Sequence, residues 1–374
     1  MRVIHVITSL RTGGAEMMLA KVVTSMDRSR FESRVVSLTS RRDVAAQIEK
    51  AEIPVTSLNA SGLAGFLPAV YKLRRILRRE RPDIVQSWLP HADLVATAAS
   101  VLSGSHRLIW NVRNASLDLS AYPWTARWAL RLLGVLSRVP RAVIHNSRAG
   151  RDAHESLGFR PRRWELIPNG FDLHRFRPMP EQRVQVREEH GIPAVAPVVA
   201  LVARNDPMKA HDIFLRAAIL VRFSVPETHF LLAGPGVSEN ETIRTLAEPL
   251  GSHVHFAGNV GDMPRLYAGV DVAVNCSTYG EAFSNAVGEA MACGVPCVVT
   301  DVGDSADLVA DSGRIVPPGD AVSLAEAIVQ LLNMPQAVRA ALGARGRKRI
   351  EGEFSIEAIA RRYEALYEDV ATLK

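Results

Sequence analysis

The stretch of this chain richest in chemical possibility runs Tyr279-Gly280-Glu281-Ala282-Phe283-Ser284-Asn285-Ala286-Val287-Gly288-Glu289-Ala290-Met291-Ala292-Cys293-Gly294-Val295-Pro296. Its pattern predicts a loop through Gly280 and a helix over 283–292, ended by Gly294. A helix start offers backbone N–H groups without intrahelical partners and the positive end of the helix dipole, which together suit a diphosphate. Glu281 lies just before that start, and Glu289 falls four residues beyond Asn285 on the same helical face. One carboxylate could touch a group near the phosphates while the other meets a second polar group about two turns away. Spacing alone leaves another reading open, in which Glu281 only complements the dipole and Glu289 is an ordinary helix-face acid.

A phosphate-binding helix start belongs at the carboxyl edge of a parallel sheet, and the sequence supplies one. Val- and Ile-rich runs at 3–7, 34–38, 83–87, 107–112 and 141–146 alternate with helical periodicity at 15–26, 44–51, 67–79 and 93–102. Short buried strands alternating with amphipathic helices mean βαβ units. The pattern restarts after Pro178, with runs at 197–203, 229–233, 253–257, 271–275 and 296–300. At 374 residues the chain also exceeds what one core usually organises. Two successive Rossmann-like α/β domains are therefore expected. Ile167-Pro168-Asn169-Gly170 is a turn sequence, and RFRPMP at 175–180 cannot extend a helix, which places the boundary between 1–177 and 178–354. A last helix is predicted over 355–370, with Tyr363, Leu366 and Val370 on one face.

Composition removes several classes of protein. Hydrophobic residues make up 47% and charged residues 22%, which argues against wholesale disorder and a coiled coil. Three cysteines cannot frame a disulfide scaffold, and Cys293 with Cys297 lacks the second pair of a zinc module. No apolar run reaches the ~18 residues of a spanning helix. The apolar start is too short for a signal peptide and has no small-residue cleavage site, so a soluble protein of a reducing cytoplasm is expected. Residues 1–177 carry 28 Lys and Arg against 14 Asp and Glu, and the remainder 17 against 25. Such asymmetry suits an anionic substrate or the inner face of an anionic membrane, or else a merely solvated basic face. Lys72–Arg79 and Trp124–Arg141 interleave apolar residues with arginines, as core-facing helices do and as shallow membrane docking also requires. No zinc finger and no aromatic RNA-recognition signature is present, so nucleic acid is not an expected partner.

The two glutamates separated by seven residues, within Gly-Glu-Ala-Phe-Ser-Asn…Glu-Ala-Met-Ala-Cys-Gly-Val-Pro, resemble the signature of retaining glycosyltransferases of family 4. Gly13-Gly14-Ala15-Glu16 is similar to that family's N-terminal glycine loop, and Ile167-Pro168-Asn169-Gly170-Phe171-Asp172 to its hinge-side element. Arg204 and Lys209 match a basic pair after the first strand of the second domain, and Thr300-Asp301-Val302-Gly303 a later strand end. The resemblance implies the GT-B fold: two Rossmann-like domains with parallel sheets facing across an interdomain cleft. It assigns 1–177 to the acceptor, joined by a C-terminal helix at 355–374, and 178–354 to the nucleotide sugar. The implied reaction is metal-independent transfer with retention from a UDP- or GDP-linked sugar to a glycan or lipid-linked acceptor, with no cofactor.

What the resemblance implies for individual residues is physically coherent. A departing diphosphate gathers negative charge, which needs fixed cations and oriented N–H groups. Arg204 and Lys209 are implied as the cations, the helix start at Phe283, Ser284 and Asn285 as the amides, and Gly13 and Gly14 as a close backbone approach. Glu281 is implied to hold the sugar hydroxyls and Glu289 the ribose, with Gly234 and Val260 at strand ends near the base. The chain departs from the family where histidines are usual: Trp88 and Arg113 stand there, making Arg113, His91 and Asn169 candidates for the acceptor or the cleft. Gly303-Asp304-Ser305-Ala306-Asp307 departs likewise from a more usual Gly-Gly…Glu run. A GxGxxG fingerprint is missing, which counts against a dehydrogenase. A sugar-nucleotide epimerase of related fold and a catalytically silent binding protein remain the alternatives.

Overall fold

In β1 (Arg2–Ile7), Val3 and Ile7 turn to one side and Ile4 and Val6 to the other, and all four are fully buried. A strand with two apolar faces must be covered on both, and helices do the covering. The computed structural model describes residues 1–40, 43–60, 62–104, 107–113 and 124–372. After β1 come α1 (Gly14–Ser25), β2 (Glu32–Ser37), α2 (Asp43–Lys50), β3 (Val55–Ser57), α3 (Phe66–Glu80) and β4 (Ile84–Trp88). There follow α4 (Pro90–Ser103), β5 (Leu108–Val112), α5 (Trp124–Leu136), β6 (Ala142–His145), α6 (Arg148–Ser156) and β7 (Trp164–Leu166). The strands form one parallel sheet in the order β3-β2-β1-β4-β5-β6-β7. Val3, Ile7, Ile84 and Ile109 pack with α1 and α2, while Ile4, Val6, Val85 and Trp110 pack with α3, α4 and α5.

The second half repeats the device. It runs α7 (Arg183–Glu189), β8 (Val198–Val202), α8 (His211–Ser224), β9 (His229–Ala233), α9 (Glu241–Ala247), β10 (Val254–Gly258) and α10 (Met263–Ala268). It continues with β11 (Val272–Asn275), α11 (Asn285–Ala292), β12 (Cys297–Thr300), α12 (Ser305–Val309), β13 (Gly313–Val316), α13 (Ala321–Leu332) and α14 (Gln336–Arg349). Its parallel sheet has the order β10-β9-β8-β11-β12-β13. Val198 and Ala200 of β8 face the core under α11, and Val199 and Leu201 face α8 and α13. Burying each such Val, Leu or Ile contributes about 1.5–3 kcal/mol. Both sheets have the Rossmann strand order, which reverses direction beside β1 and again beside β8.

The chain closes with α15 (Ile356–Thr372), entered from a π-type turn at Ile350–Phe354. Two compact units result, one of residues 1–170 with the segment from Ile356 on, the other Phe171–Ser355. The division thus falls after Gly170 and not after Arg177. Phe171 and Phe176 are already side chains of the second core, so the proline-rich run lies inside the second unit. α15 buries Ile359, Tyr363, Leu366, Tyr367 and Val370 against the first sheet's core. Trp88, which the sequence places at a family histidine position, is fully buried and stacks on Tyr363 at 6.0 Å between ring centres. Among the described residues no helix is long and apolar enough to cross a membrane.

Candidate active site

The second sheet reverses its order between β8 and β11, so the loops leaving these strands diverge and open a crevice at their carboxyl ends. The β8–α8 loop carries Arg204 and Lys209, and the β11–α11 loop carries Glu281 to Ser284. Asp206 accepts the Met208 amide at 3.1 Å, capping a short 3-10 turn over Pro207–Lys209 that sets the direction of the Lys209 stem. The Thr278 amide donates to the Met208 carbonyl at 2.9 Å and fastens one loop to the other. Across this junction Lys209 Nζ meets Glu281 Oε2 at 2.5 Å. The same Oε2 accepts Ser277 Oγ at 2.8 Å and Asn275 Nδ2 at 3.4 Å.

Burial pushes the Glu281 carboxyl up, but the Lys209 charge and hydrogen bond, with Ser277 and Asn275, outweigh it and hold the group below its usual 4.5. Glu281 is therefore a carboxylate at neutral pH, with one oxygen already saturated by donors. Arg204 is different: its side chain is 60% exposed, and it pairs with Asp206 Oδ2 at 2.6 Å. Both cations thus stand on one loop, one fixed against Glu281 and one at the surface.

The expected helix starts two residues late, because Ser284 has φ −78° and ψ 108°, outside the helical region. Its hydroxyl accepts Asn275 Nδ2 at 2.7 Å and makes no cap for the helix. The first turn of α11 therefore begins beside the Asn275–Glu281–Lys209 network, without a side-chain oxygen over its end. Phe283 contributes only backbone there. Its ring is buried in the core, stacked on Phe171 at 6.2 Å and tilted against Phe354 at 5.6 Å. Asn285 and Glu289 are both half-buried on α11. Burial pushes the Tyr267 hydroxyl well above 10, and the neighbouring Glu289 charge adds to that shift.

Two glycines hold the loops in place. Gly234, just past β9, has φ +147°, and a Cβ there would stand 2.0 Å from the Ala203 carbonyl oxygen, next to Arg204. Gly303, just past β12, has φ +63°, and its Cβ would stand 2.0 Å from the Glu281 carbonyl oxygen. Only a residue without a side chain fits either place. Val260, past β10, is half-buried against the core beneath α11. Cys276, Cys293 and Cys297 are buried free thiols, and burial pushes all three up to about 12, so none is a nucleophile at neutral pH. Among the described residues, no three His, Cys, Asp or Glu side chains gather as metal ligands do.

The first unit positions the other candidates separately. Gly13 and Gly14 form the turn from β1 into α1; a Cβ on Gly13 would meet Glu16 Oε2 at 2.5 Å. His91 is exposed in the first turn of α4. Arg113, just past β5, donates to Asn169 Oδ1, and to Asn111 Oδ1 and the Tyr363 hydroxyl at 3.3 Å each. Its guanidinium also lies 5.5 Å from the centre of the Trp88 ring. Arg113 and Asn169 are thus brought together, and the Asn169 side chain is buried. Sequence reasoning missed Asp206, Asn275, Ser277 and Tyr363. A polar residue ending a buried strand, as Asn275 does, was the signal available for one of them.

Comparison with known proteins identifies the family and the fold. The model of Glycosyltransferase Family 4 matches residues 12–175, and that of Glycosyl transferases group 1 matches residues 196–334. A GDP-mannose-dependent alpha-(1-6)-phosphatidylinositol monomannoside mannosyltransferase of Mycolicibacterium smegmatis is 32% identical over 279 residues, 71% of each chain. A GDP-mannose-dependent monoacylated alpha-(1-6)-phosphatidylinositol monomannoside mannosyltransferase of Corynebacterium glutamicum is 27% identical over 94% of this chain and 93% of its own. Among solved structures, Anabaena Alr3699/HepE in complex with UDP superposes with a TM-score of 0.86 at 24% identity, over 99% of this chain and all of that one. That likeness gives the GT-B fold. With both family models matched in order and a relative aligned over most of its length, the chain belongs to glycosyltransferase family 4 and is a glycosyltransferase.

Proposed function

We propose that the protein transfers a hexosyl group from a nucleotide diphosphate sugar with retention at the anomeric carbon, and that its own cations take the place of a metal. The observation that carries this is the Lys209–Glu281 pair at the reversal of the second sheet, beside the start of α11. When the sugar–phosphate bond breaks, charge develops on the diphosphate; Lys209, Arg204 and the first amides of α11 are the groups that would stabilise it. Glu281 would orient the sugar's hydroxyls. Its Oε2 is shared among Lys209, Ser277 and Asn275, which makes it a poor nucleophile and favours a front-face path through an oxocarbenium-like state. In that path the acceptor hydroxyl forms the new bond, the leaving phosphate departs with the bonding pair, and the same phosphate takes the acceptor's proton. Glu289 would bind the ribose.

The names of the relatives favour GDP-mannose as donor and an inositol-lipid type of acceptor, while a structural neighbour was solved with UDP-glucose. The test is a panel of labelled GDP- and UDP-sugars with added EDTA, with product anomers read by NMR. An α-linked product from an α-linked donor, undiminished by EDTA, supports the reading. An inverted product, a covalent sugar on Glu281, or loss of transfer with EDTA overturns it. Peripheral contact of the basic first unit with anionic membrane is part of this proposal, and salt-sensitive sedimentation with phosphatidylglycerol vesicles tests it.

A further inference from the structure

The first unit contains a cavity of about 390 Å³ outside the carboxyl ends of β1 and β2, at the starts of α3 and α4. That lies within the roughly 300–1,000 Å³ of ligand pockets. Its lining includes the polar Thr8 and Thr39 and the exposed His91; the rest is apolar, with Phe66 of α3, Leu94 of α4 and Ala129 of α5. A glycan placed there would leave its hydroxyls without partners along those walls, which is costly. A hydrocarbon chain has no such groups to satisfy.

The outer surface of the same helices is unusual for a water-soluble face. Leu67 and Tyr71 on α3 are 74% and 65% exposed, and Trp128, Leu132 and Val135 on α5 are 62%, 50% and 78% exposed. Phe66 lines the cavity next in sequence to exposed Leu67, and Ala129 next to exposed Trp128, so the helices that wall the cavity also carry these exposed side chains. The same helices are rich in cations: α3 contains Lys72, Arg74, Arg75, Arg78 and Arg79 against a single acid, Glu80, which pairs with Arg79, and α5 contains Arg127 and Arg131 with no Asp or Glu. Arg131 lies 5.8 Å from the centre of the Trp128 ring. Apolar tips on cation-rich helices match the anionic surface and shallow hydrocarbon of a bilayer. The Trp124 side chain, expected to join this surface, lies outside the described residues.

We infer that this cavity holds the hydrocarbon chain of an anionic membrane lipid, taken in between α3 and α5, with the lipid's head beside Thr8, Thr39 and His91. The inference deepens the transferase reading by giving the acceptor a lipid tail, and rests on that reading for the word acceptor. The chain site itself is independent of it.

The test compares binding of dodecyl phosphate and butyl phosphate to the full chain, below the micelle concentration, by calorimetry. Each buried methylene adds about fourfold in affinity, so burying only about three or four of the longer chain's extra methylenes already makes it bind roughly a hundredfold more tightly. Ala129→Trp and Leu94→Trp, both at half-buried wall positions, should reduce that advantage to a few-fold while leaving the melting temperature and GDP binding unchanged. Equal affinity for the two phosphates overturns the inference, as does an undiminished chain-length effect in both folded variants. Nucleotide release from labelled donors is scored separately. Transfer to a water-soluble acceptor without any chain-length effect removes the chain site alone. Chain-dependent binding with no release from any donor keeps it and removes the proposed transfer from a GDP- or UDP-sugar.

Discussion

Lys209→Met keeps the apolar stem of the lysine and removes only its charge, so it isolates what holds Glu281 ionised. The pair is largely withdrawn from solvent, with side-chain exposures of 14% for Lys209 and 9% for Glu281. Breaking such a pair typically costs about 3–5 kcal/mol, because a buried charge is left uncompensated. Ser277 and Asn275 still donate to the carboxylate, which puts the expected loss near ~3 kcal/mol at pH 8. The pH dependence carries the sharper signature. In the native protein the Glu281 carboxyl lies below 4.5, so its contribution is present above 4.5 and lost as pH falls through the folded value. Without Lys209, burial dominates and lifts the carboxyl above 4.5; the folded variant then binds a proton the unfolded chain does not, and its stability rises as pH falls. Every unit by which the variant's carboxyl titrates above pH 5 returns about 1.4 kcal/mol at pH 5. Urea unfolding at pH 5 and pH 8, followed by far-UV circular dichroism, measures both deficits. Tryptophan fluorescence would miss them, since Trp88, Trp110, Trp124, Trp128 and Trp164 all belong to the first unit. A deficit equal at the two pH values would show that Lys209 does not hold Glu281 ionised.

Other expectations follow from the same geometry. Gly303→Ala, at φ +63° and with its Cβ 2.0 Å from the Glu281 carbonyl, should cost about 1–3 kcal/mol in urea unfolding and weaken donor binding by displacing Glu281. Glu289→Gln should weaken binding of a ribonucleoside diphosphate about tenfold, with no further loss for the 2′-deoxy analogue and little change in kcat. A selective fall in kcat would speak against a ribose contact. Asp271→Asn should cost about 3–5 kcal/mol, because Asp271 accepts from buried Arg187 at 2.7 Å and from Arg183 at 2.5 Å. Asp271 precedes β11, at the end of the strand away from Glu281, so nucleotide affinity measured in the same preparation should stay within twofold.

Most of the sheets were legible because parallel strands are buried on both faces and read as runs of Val and Ile, as in β1 and β8. The strands that escaped, β3, β7 and β13, are three or four residues long and less completely buried, so they lack that signal. The unit boundary was misplaced because RFRPMP is a strong helix stop, while the feature that decides membership, the burial of Phe171 and Phe176, is a tertiary one. The start of α11 was set early for a similar reason: Phe283 has the hydrophobicity of a helix position but is drawn into contact with Phe171 and Phe354. In the site, the two glutamates and the two cations were legible as motif residues. Their pairing was not, since Lys209 and Glu281 are 72 residues apart in sequence. The bond from Arg113 to Tyr363 and the burial of Trp88 under Tyr363 likewise depend on where α15 packs, which its local pattern does not carry even though that pattern predicts the helix.

Fixed cations and a helix start are proposed to receive a diphosphate without a metal. A crystal structure of the protein grown with GDP or UDP in EDTA tests it most directly. Phosphate oxygens are expected within hydrogen-bonding distance of Arg204, Lys209 and an amide at the start of α11. A diphosphate bound elsewhere, or one that is ordered only when a divalent ion is restored, would contradict it.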